Sequence, residues 1–121
     1  MADELQLTLA GAYVNGGLKD TLASETLKVT QTTRGFLKQV LSIGTSAETI
    51  TFTDITTLGW LYLKNLDATN FVTYGPDSSG QVDFGKIKSG EYALLRLKPG
   101  VTVKATADTA ACKVLVAMWE D

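Results

Sequence analysis

Few side chains in this sequence could perform chemistry. It has no histidine and one cysteine, Cys112, which excludes a Ser-His-Asp or Cys-His relay, imidazole metal ligands and a thiolate zinc cluster. A lone thiol also allows no disulfide within the chain. Cys112 lies on the same side of an alternating segment as Val114, Val116 and Met118. We therefore expect Cys112 to be a small buried apolar residue and not a nucleophile. The sequence predicts that the protein is not an enzyme and uses no cofactor.

Acidic side chains are the remaining candidates for catalysis or metal binding. They are scattered along the chain, and no spacing singles out the paired carboxylates of a glycosidase. Asp77 and Asp83 could give oxygen ligands to calcium, but a calcium site needs about six ligands or more. The Gly/Ser loop at residues 75–80 lacks the lysine and following helix of a phosphate loop. We therefore expect surface acids, a plain loop and no metal.

Large aromatic side chains form a second group of candidates. Aromatic rings stack on sugars, so a carbohydrate-binding platform is one reading, but core or subunit contacts are the commoner role. Trp60, Tyr62 and Trp119 lie in segments with large apolar side chains at both alternating positions. Such strands lie between two layers or at a subunit contact. We predict a homo-oligomer, a trimer before a dimer. The predicted interface residues are Leu5, Trp60, Tyr62, Phe71, Tyr74 and Trp119.

The elements that position these residues are predicted to be strands. Apolar and polar side chains alternate with a period of two, most clearly in residues 101–107 and 111–119. Turn-forming residues, such as Pro99 and Gly100, separate the alternating segments. Residues 34–43 also fit a short amphipathic helix, and residues 18–24 could hold one helical turn. The predicted strands are 4–14, 25–33, 36–43, 48–54, 59–66, 70–75, 81–87, 91–97, 101–107 and 111–119.

Many short strands bury their apolar faces as two packed antiparallel sheets or as a closed barrel. Eight or more strands suit a jelly roll. The sequence therefore predicts an all-β protein: one antiparallel β-sandwich domain, jelly-roll-like, over residues 1–121. A chain of 121 residues is long enough to bury a stable core without a disulfide or metal.

Charge and hydropathy bear on partners and location. The formal net charge is -2, which gives no general attraction for nucleic acid. The longest apolar runs, such as residues 114–119, are far shorter than the roughly 20 residues that span a bilayer, so we expect no membrane contact. The acidic start Met1-Ala2-Asp3-Glu4 is unlike a secretory signal. We expect residues 1–6 to be a mobile arm that pairs with the sheet edge of a neighbour.

Four segments carry a resemblance to a known family. Residues 59–72 read GWLYLKNLDATNFV, residues 84–97 read FGKIKSGEYALLRL, residues 99–105 read PGVTVKA, and residues 110–114 read AACKV. Their order resembles the small β-sandwich cement or decoration proteins, and related head or tail accessory proteins, of tailed bacteriophages. Residues 1–57 lie outside the resemblance.

The resemblance implies a function and a location. It implies a structural virion protein, a capsid cement subunit that binds the major capsid protein and stabilises the assembled shell. It also implies synthesis in the host bacterial cytoplasm, location in the virion and no catalytic residues. A tail or head-fibre component and a carbohydrate-binding module are the alternatives.

Overall fold

The computed structural model describes residues 2–121. The chain falls into two compact units, one up to Thr32 and one from Thr33 to Asp121. The expectation of one sandwich domain over residues 1–121 stays a prediction.

The first unit is a long antiparallel hairpin. Strand β1 (Leu5–Asn15) pairs with β2 (Leu18–Val29). The two-residue loop between them contains Gly16 at a φ of 60°, a left-handed conformation that glycine adopts without steric cost. The register runs from Leu5 opposite Val29 to Asn15 opposite Leu18.

This hairpin corrects two predictions. The helical turn expected at residues 18–24 is wrong, because these residues are in β2, and the strand expected at 25–33 ends at Val29. Leu9 is paired with Glu25, whereas Gly11 is paired with Leu22. β2 therefore holds one extra residue, a bulge, at this point. The bulge breaks the period-two pattern by which strands are recognised in sequence.

The predicted mobile arm over residues 1–6 is also wrong in part. Leu5 and Gln6 are the first residues of β1, paired with Val29 and Lys28. The backbone N–H of Asp3 donates to Thr30 Oγ1 over 3.3 Å. Met1, at the end of the predicted arm, lies outside the described residues.

The second unit is an eight-stranded antiparallel β-sandwich. One sheet has the order β3-β10-β5-β8 and the other has the order β4-β9-β6-β7. Successive strands alternate between the two four-stranded sheets, except that β6 and β7 pair with each other in the second sheet. This strand order is that of a jelly roll, and the predicted fold class is confirmed. The strands are β3 (Phe36–Ile43), β4 (Glu48–Thr49), β5 (Leu58–Asn65), β6 (Val72–Pro76), β7 (Gly85–Ile87), β8 (Tyr92–Arg96), β9 (Val103–Ala107) and β10 (Cys112–Glu120).

In this unit, one segment also fitted a helix, and one predicted strand is shorter than expected. Residues 36–43 form a strand, not a helix, and pair along their whole length with β10, from Phe36 opposite Trp119 to Ile43 opposite Cys112. The strand predicted at residues 48–54 is reduced to Glu48–Thr49.

The core lies between the inner faces of the two sheets. β5 contributes Leu61 and Leu63, and β10 contributes Val116 and Met118, all 0–1% exposed. They pack with Val72 and other buried residues of the opposite sheet. Burying each such side chain stabilises the fold by roughly 1.5–3 kcal/mol. Cys112 is fully buried in the same cluster, as predicted.

Candidate interaction surface

The outer face of the β3-β10-β5-β8 sheet is apolar and aromatic. On β5 and β10 the residues between the core positions point outward, since side chains alternate across a strand. The register places Trp60 directly opposite Trp119, and Tyr62 opposite Ala117. Both faces of these two strands are therefore apolar, although only the inner face meets the other sheet.

The flanking strands extend this surface in both directions. Phe36 of β3 is paired with Trp119, and their ring centroids are 5.6 Å apart. Tyr92 of β8 lies 5.7 Å from the ring of Tyr62. We call this surface the aromatic face. Its apolar members are Phe36, Val40, Trp60, Tyr62, Tyr92, Leu94, Leu115, Ala117 and Trp119.

Much of the aromatic face is accessible to solvent. Phe36 is 57% exposed, Val40 55% and Tyr92 55%, while Trp60 and Trp119 are half-buried. Exposed apolar patches of this extent on soluble proteins mark sites where another molecule binds.

The opposite sheet has an outer face of different chemistry. On it, the amide of Gln81 donates to Thr73 Oγ1 over 3.1 Å and accepts from Thr106 Oγ1 over 2.7 Å. Lys104 of the same face approaches Asp77 at 3.8 Å. This sheet is apolar inside and polar outside, as expected of an antiparallel sheet with one face in water. The apolar outer face of the first sheet is therefore a local property, not a general feature of this sandwich.

The charges on the aromatic face are positive. Lys38, Lys64 and Lys113 point outward from β3, β5 and β10. Within residues 2–121 none of these three lysines forms a salt bridge. Arg96 at the β8 edge is different, because it pairs with Asp121 at 2.7 Å.

The structure brings together three of the six predicted interface residues, Trp60, Tyr62 and Trp119. Tyr74 belongs to the core instead: it is 8% exposed, and burial raises the pKa of its hydroxyl. Its position on β6 faces the opposite sheet, and its role as an interface residue stays a prediction. Phe71 is half-buried just before β6, with Lys86 Nζ 4.1 Å from its ring centroid. Leu5 lies in the hairpin unit.

Sequence reasoning missed Phe36, Val40 and Tyr92 as members of this surface. Phe36 and Val40 lie in the segment that also fitted a helix. In a helix, neither residue would lie beside β10 on the outer face of the sheet. Their even spacing, read together with Lys38 and Ser42 as one strand face, was the available signal.

The hairpin carries a second exposed apolar surface. Residues paired across an antiparallel ladder share a face, and the bulge keeps Leu22 in the same row as Leu9 and Leu27. We call this surface the hairpin face. Its apolar members are Leu5, Leu7, Leu9, Tyr13, Leu18, Leu22, Leu27 and Val29. Leu5 is buried and Leu7 and Val29 are half-buried, whereas the other five are exposed.

The opposite side of the hairpin is mostly polar, with Ala12 and Val14 as apolar exceptions. It carries Lys19 and Lys28, and Thr8 is hydrogen-bonded to Thr26 across the strands at 3.0 Å. The hairpin face instead carries two acids, because Asp20 is paired with Tyr13 and Glu25 with Leu9. The hairpin is therefore amphipathic, with its charges segregated by sign.

A cleft of about 340 Å³ opens at one edge of the sandwich, between the end of β8 and strands β6 and β9. Its walls are apolar and include Phe84, Leu95, Leu97 and Val101. It brings no set of acid, base and nucleophile together.

In the described part of the chain no group of three or more His, Cys, Asp or Glu residues could hold a metal ion. None of residues 2–121 lies in a helix long and apolar enough to cross a membrane. No protein-family model matches the chain, and no curated protein or solved structure matches it.

Proposed function

We propose that this protein is a non-catalytic structural subunit of a tailed-bacteriophage virion, a capsid cement protein that binds the major capsid protein and stabilises the assembled shell. The observation that carries the structural role is the aromatic face: a sheet that carries the half-buried Trp60, Tyr62 and Trp119 on its outer side, beside the exposed Phe36, is suited to binding other proteins. The resemblance of residues 59–114 to phage cement and accessory proteins supports the capsid as the binding partner.

The mechanism follows from mass action. A subunit that binds the assembled shell, but not its separate capsomers, shifts the equilibrium toward the shell by the free energy of binding. When several subunits are joined, a second contact with the shell becomes intramolecular, and weak contacts add up to strong attachment. A jelly roll with a fully buried core provides the rigid scaffold that such linkage requires.

Binding of the purified protein to shells that lack it tests this proposal. Shells are incubated with increasing protein, pelleted, and analysed for occupancy and for the temperature at which DNA is released. The expected result is saturable occupancy with a rise in release temperature. Absence of binding, or full occupancy without a rise, would contradict the cement function. In that case a tail or head-fibre component would be the better account.

The aromatic face also supports a second candidate function, carbohydrate binding. Two tryptophans and a tyrosine on one sheet face could stack on sugar rings. This candidate predicts binding on a glycan array that is lost in Trp60→Ala and kept in Phe84→Ala. Phe84 is a matched control because it is 75% exposed but lies off the aromatic face.

A further inference from the structure

We propose that the hairpin face of one copy packs on the aromatic face of a second copy. The inference concerns contacts between copies of this chain only, so it stands or falls separately from the binding of a capsid.

Most of the hairpin is exposed. An isolated two-stranded hairpin is only marginally stable in water, and its apolar face requires another layer. Every residue from Thr8 to Lys28 is exposed. On the hairpin face, Leu18 is 65% exposed and Leu22 56%. A partner that covers this face would therefore stabilise the hairpin as well as bind it.

The two surfaces match in size. Strand rise and spacing of about 3.3 Å and 4.8 Å make the hairpin face roughly 35 Å long and 10 Å wide. By the same measures, the aromatic face of four strands, with eight residues in β3, is roughly 26 Å by 15–20 Å. A two-stranded layer can therefore cover the whole length and roughly half to two thirds of the width of the aromatic face, as in a sheet-on-sheet packing.

Charge identifies the partner as a copy of the same chain. The hairpin face holds the acids Asp20 and Glu25, whereas the aromatic face holds Lys38, Lys64 and Lys113. Packing of the hairpin face on the aromatic face brings opposite charges together. Packing of two hairpin faces would place acids against acids, and packing of two aromatic faces would place lysines against lysines. Such contacts between like charges are unfavourable. The chain therefore carries both halves of one complementary interface.

An interface between two different surfaces of the same chain has consequences for assembly. Each copy offers one hairpin face and one aromatic face, both exposed in the single chain, so each copy can engage two neighbours. Such head-to-tail contacts close into rings when the rotation permits. Two copies would exchange hairpins reciprocally, and three would form a ring in agreement with the predicted trimer.

Charge reversal on the full-length chain tests this inference. The hairpin variant carries Asp20→Lys and Glu25→Lys, and the sheet variant carries Lys38→Glu and Lys64→Glu. Sedimentation from about 1 to 100 μM should show self-association of the native protein and about tenfold or greater weakening in each variant. An equimolar mixture of the two variants should associate again, because the hairpin of one then matches the sheet of the other.

The side of the hairpin away from the hairpin face provides a control. Lys19→Glu with Lys28→Glu reverses two charges on the opposite side of the hairpin, and should leave association unchanged. A native protein that stays monomeric would overturn the proposal, whether its tryptophans are exposed or are covered by its own hairpin. Association that survives both reversals, or a mixture that stays monomeric although circular dichroism shows each variant folded, would also overturn it.

Discussion

Trp60 of β5 and Trp119 of β10 are direct partners in the antiparallel register, side by side on the outer face of their sheet. They are the two tryptophans of the chain. Each is half-buried in the single chain, although the strands that carry them are central in the sheet. Their intrinsic fluorescence therefore reports on the aromatic face and on whatever covers it.

Replacing Trp60 by serine should weaken self-association while the fold is retained. Anchor tryptophans at interfaces commonly contribute about 2 kcal/mol or more, so we expect about a thirtyfold or greater rise in the dissociation constant. Sedimentation and far-UV circular dichroism are the measurements. Phe84→Ser, which removes an exposed aromatic ring away from this face, is the matched control. Equal weakening in the two variants would contradict the role of the aromatic face.

Removing the side-chain amide of Asn65 should lower the stability of the fold. This fully buried side chain donates from Nδ2 to the carbonyl oxygens of Asn70 at 2.8 Å and Ile87 at 3.1 Å, and its Oδ1 accepts from the N–H of Asp67 at 3.0 Å. It thereby ties the end of β5 to β7 of the opposite sheet. Asn65→Ala leaves these groups without their partner and should cost about 1–3 kcal/mol.

Asn65→Asp discriminates the donor role from simple packing. A buried carboxylate would face two carbonyl oxygens, so the loss of stability at pH 7 should exceed that of Asn65→Ala. The difference should narrow in acid, where a protonated carboxyl can donate one hydrogen bond. Urea unfolding of both variants at two pH values provides the comparison. An aspartate variant as stable as the native protein at pH 7 would show that the donations contribute nothing.

Glu120 should make stability depend on pH in the acid range. Its Oε2 accepts from Thr56 Oγ1 at 2.8 Å, and from the N–H groups of Thr56 and Thr57 at 3.0 and 3.1 Å. These bonds, the Thr56 hydroxyl first, lower the pKa of Glu120 below its ordinary value. A lowered folded-state pKa adds stability above the unfolded pKa, and this stability is lost as pH falls through the folded pKa.

Glu120→Gln should therefore flatten the acid part of the stability–pH curve and lower the melting temperature at pH 7. Thermal unfolding from neutral to acid pH measures both effects. Asp108→Asn, at an exposed carboxylate, is the control and should leave the neutral melting temperature nearly unchanged. A Glu120→Gln curve parallel to that of the native protein would contradict the assigned role of these hydrogen bonds.

Cys112 should react slowly with thiol reagents in the folded protein. It is fully buried, and burial is the first cause that raises its pKa, followed by the charges of Asp67 and Asp108. Both effects disfavour the reactive thiolate. Labelling should become fast only after denaturation, and Cys112→Ser should cost on the order of 1–3 kcal/mol. Rapid labelling under native conditions would contradict the burial of this strand face.

The sandwich was predictable because its central strands alternate strictly. In β10, the row Cys112, Val114, Val116 and Met118 is buried without exception, as its period of two indicated. β2 was not predictable over its first half, since the bulge opposite Leu9 and Gly11 shifts the apolar row by one position. A period rule cannot find a strand whose period is interrupted.

The candidate surface was predictable only in part, because sequence alone does not give strand order. Trp60 and Trp119 were recognised as residues with apolar neighbours on both sides, but their partner Phe36 depends on β3 lying beside β10. Tyr62 and Tyr74 were both predicted as interface residues, yet Tyr62 faces out and Tyr74 is buried. That difference is set by which face of each strand meets the opposite sheet.

A cryo-EM map of particles from the phage proposed to carry this protein tests the central claim, the cement function, most directly. The account predicts jelly-roll density on the outside of the shell, bridging adjacent capsomers, with several copies in contact with one another. Density confined to the tail or to a fibre, or particles without the protein, would contradict it.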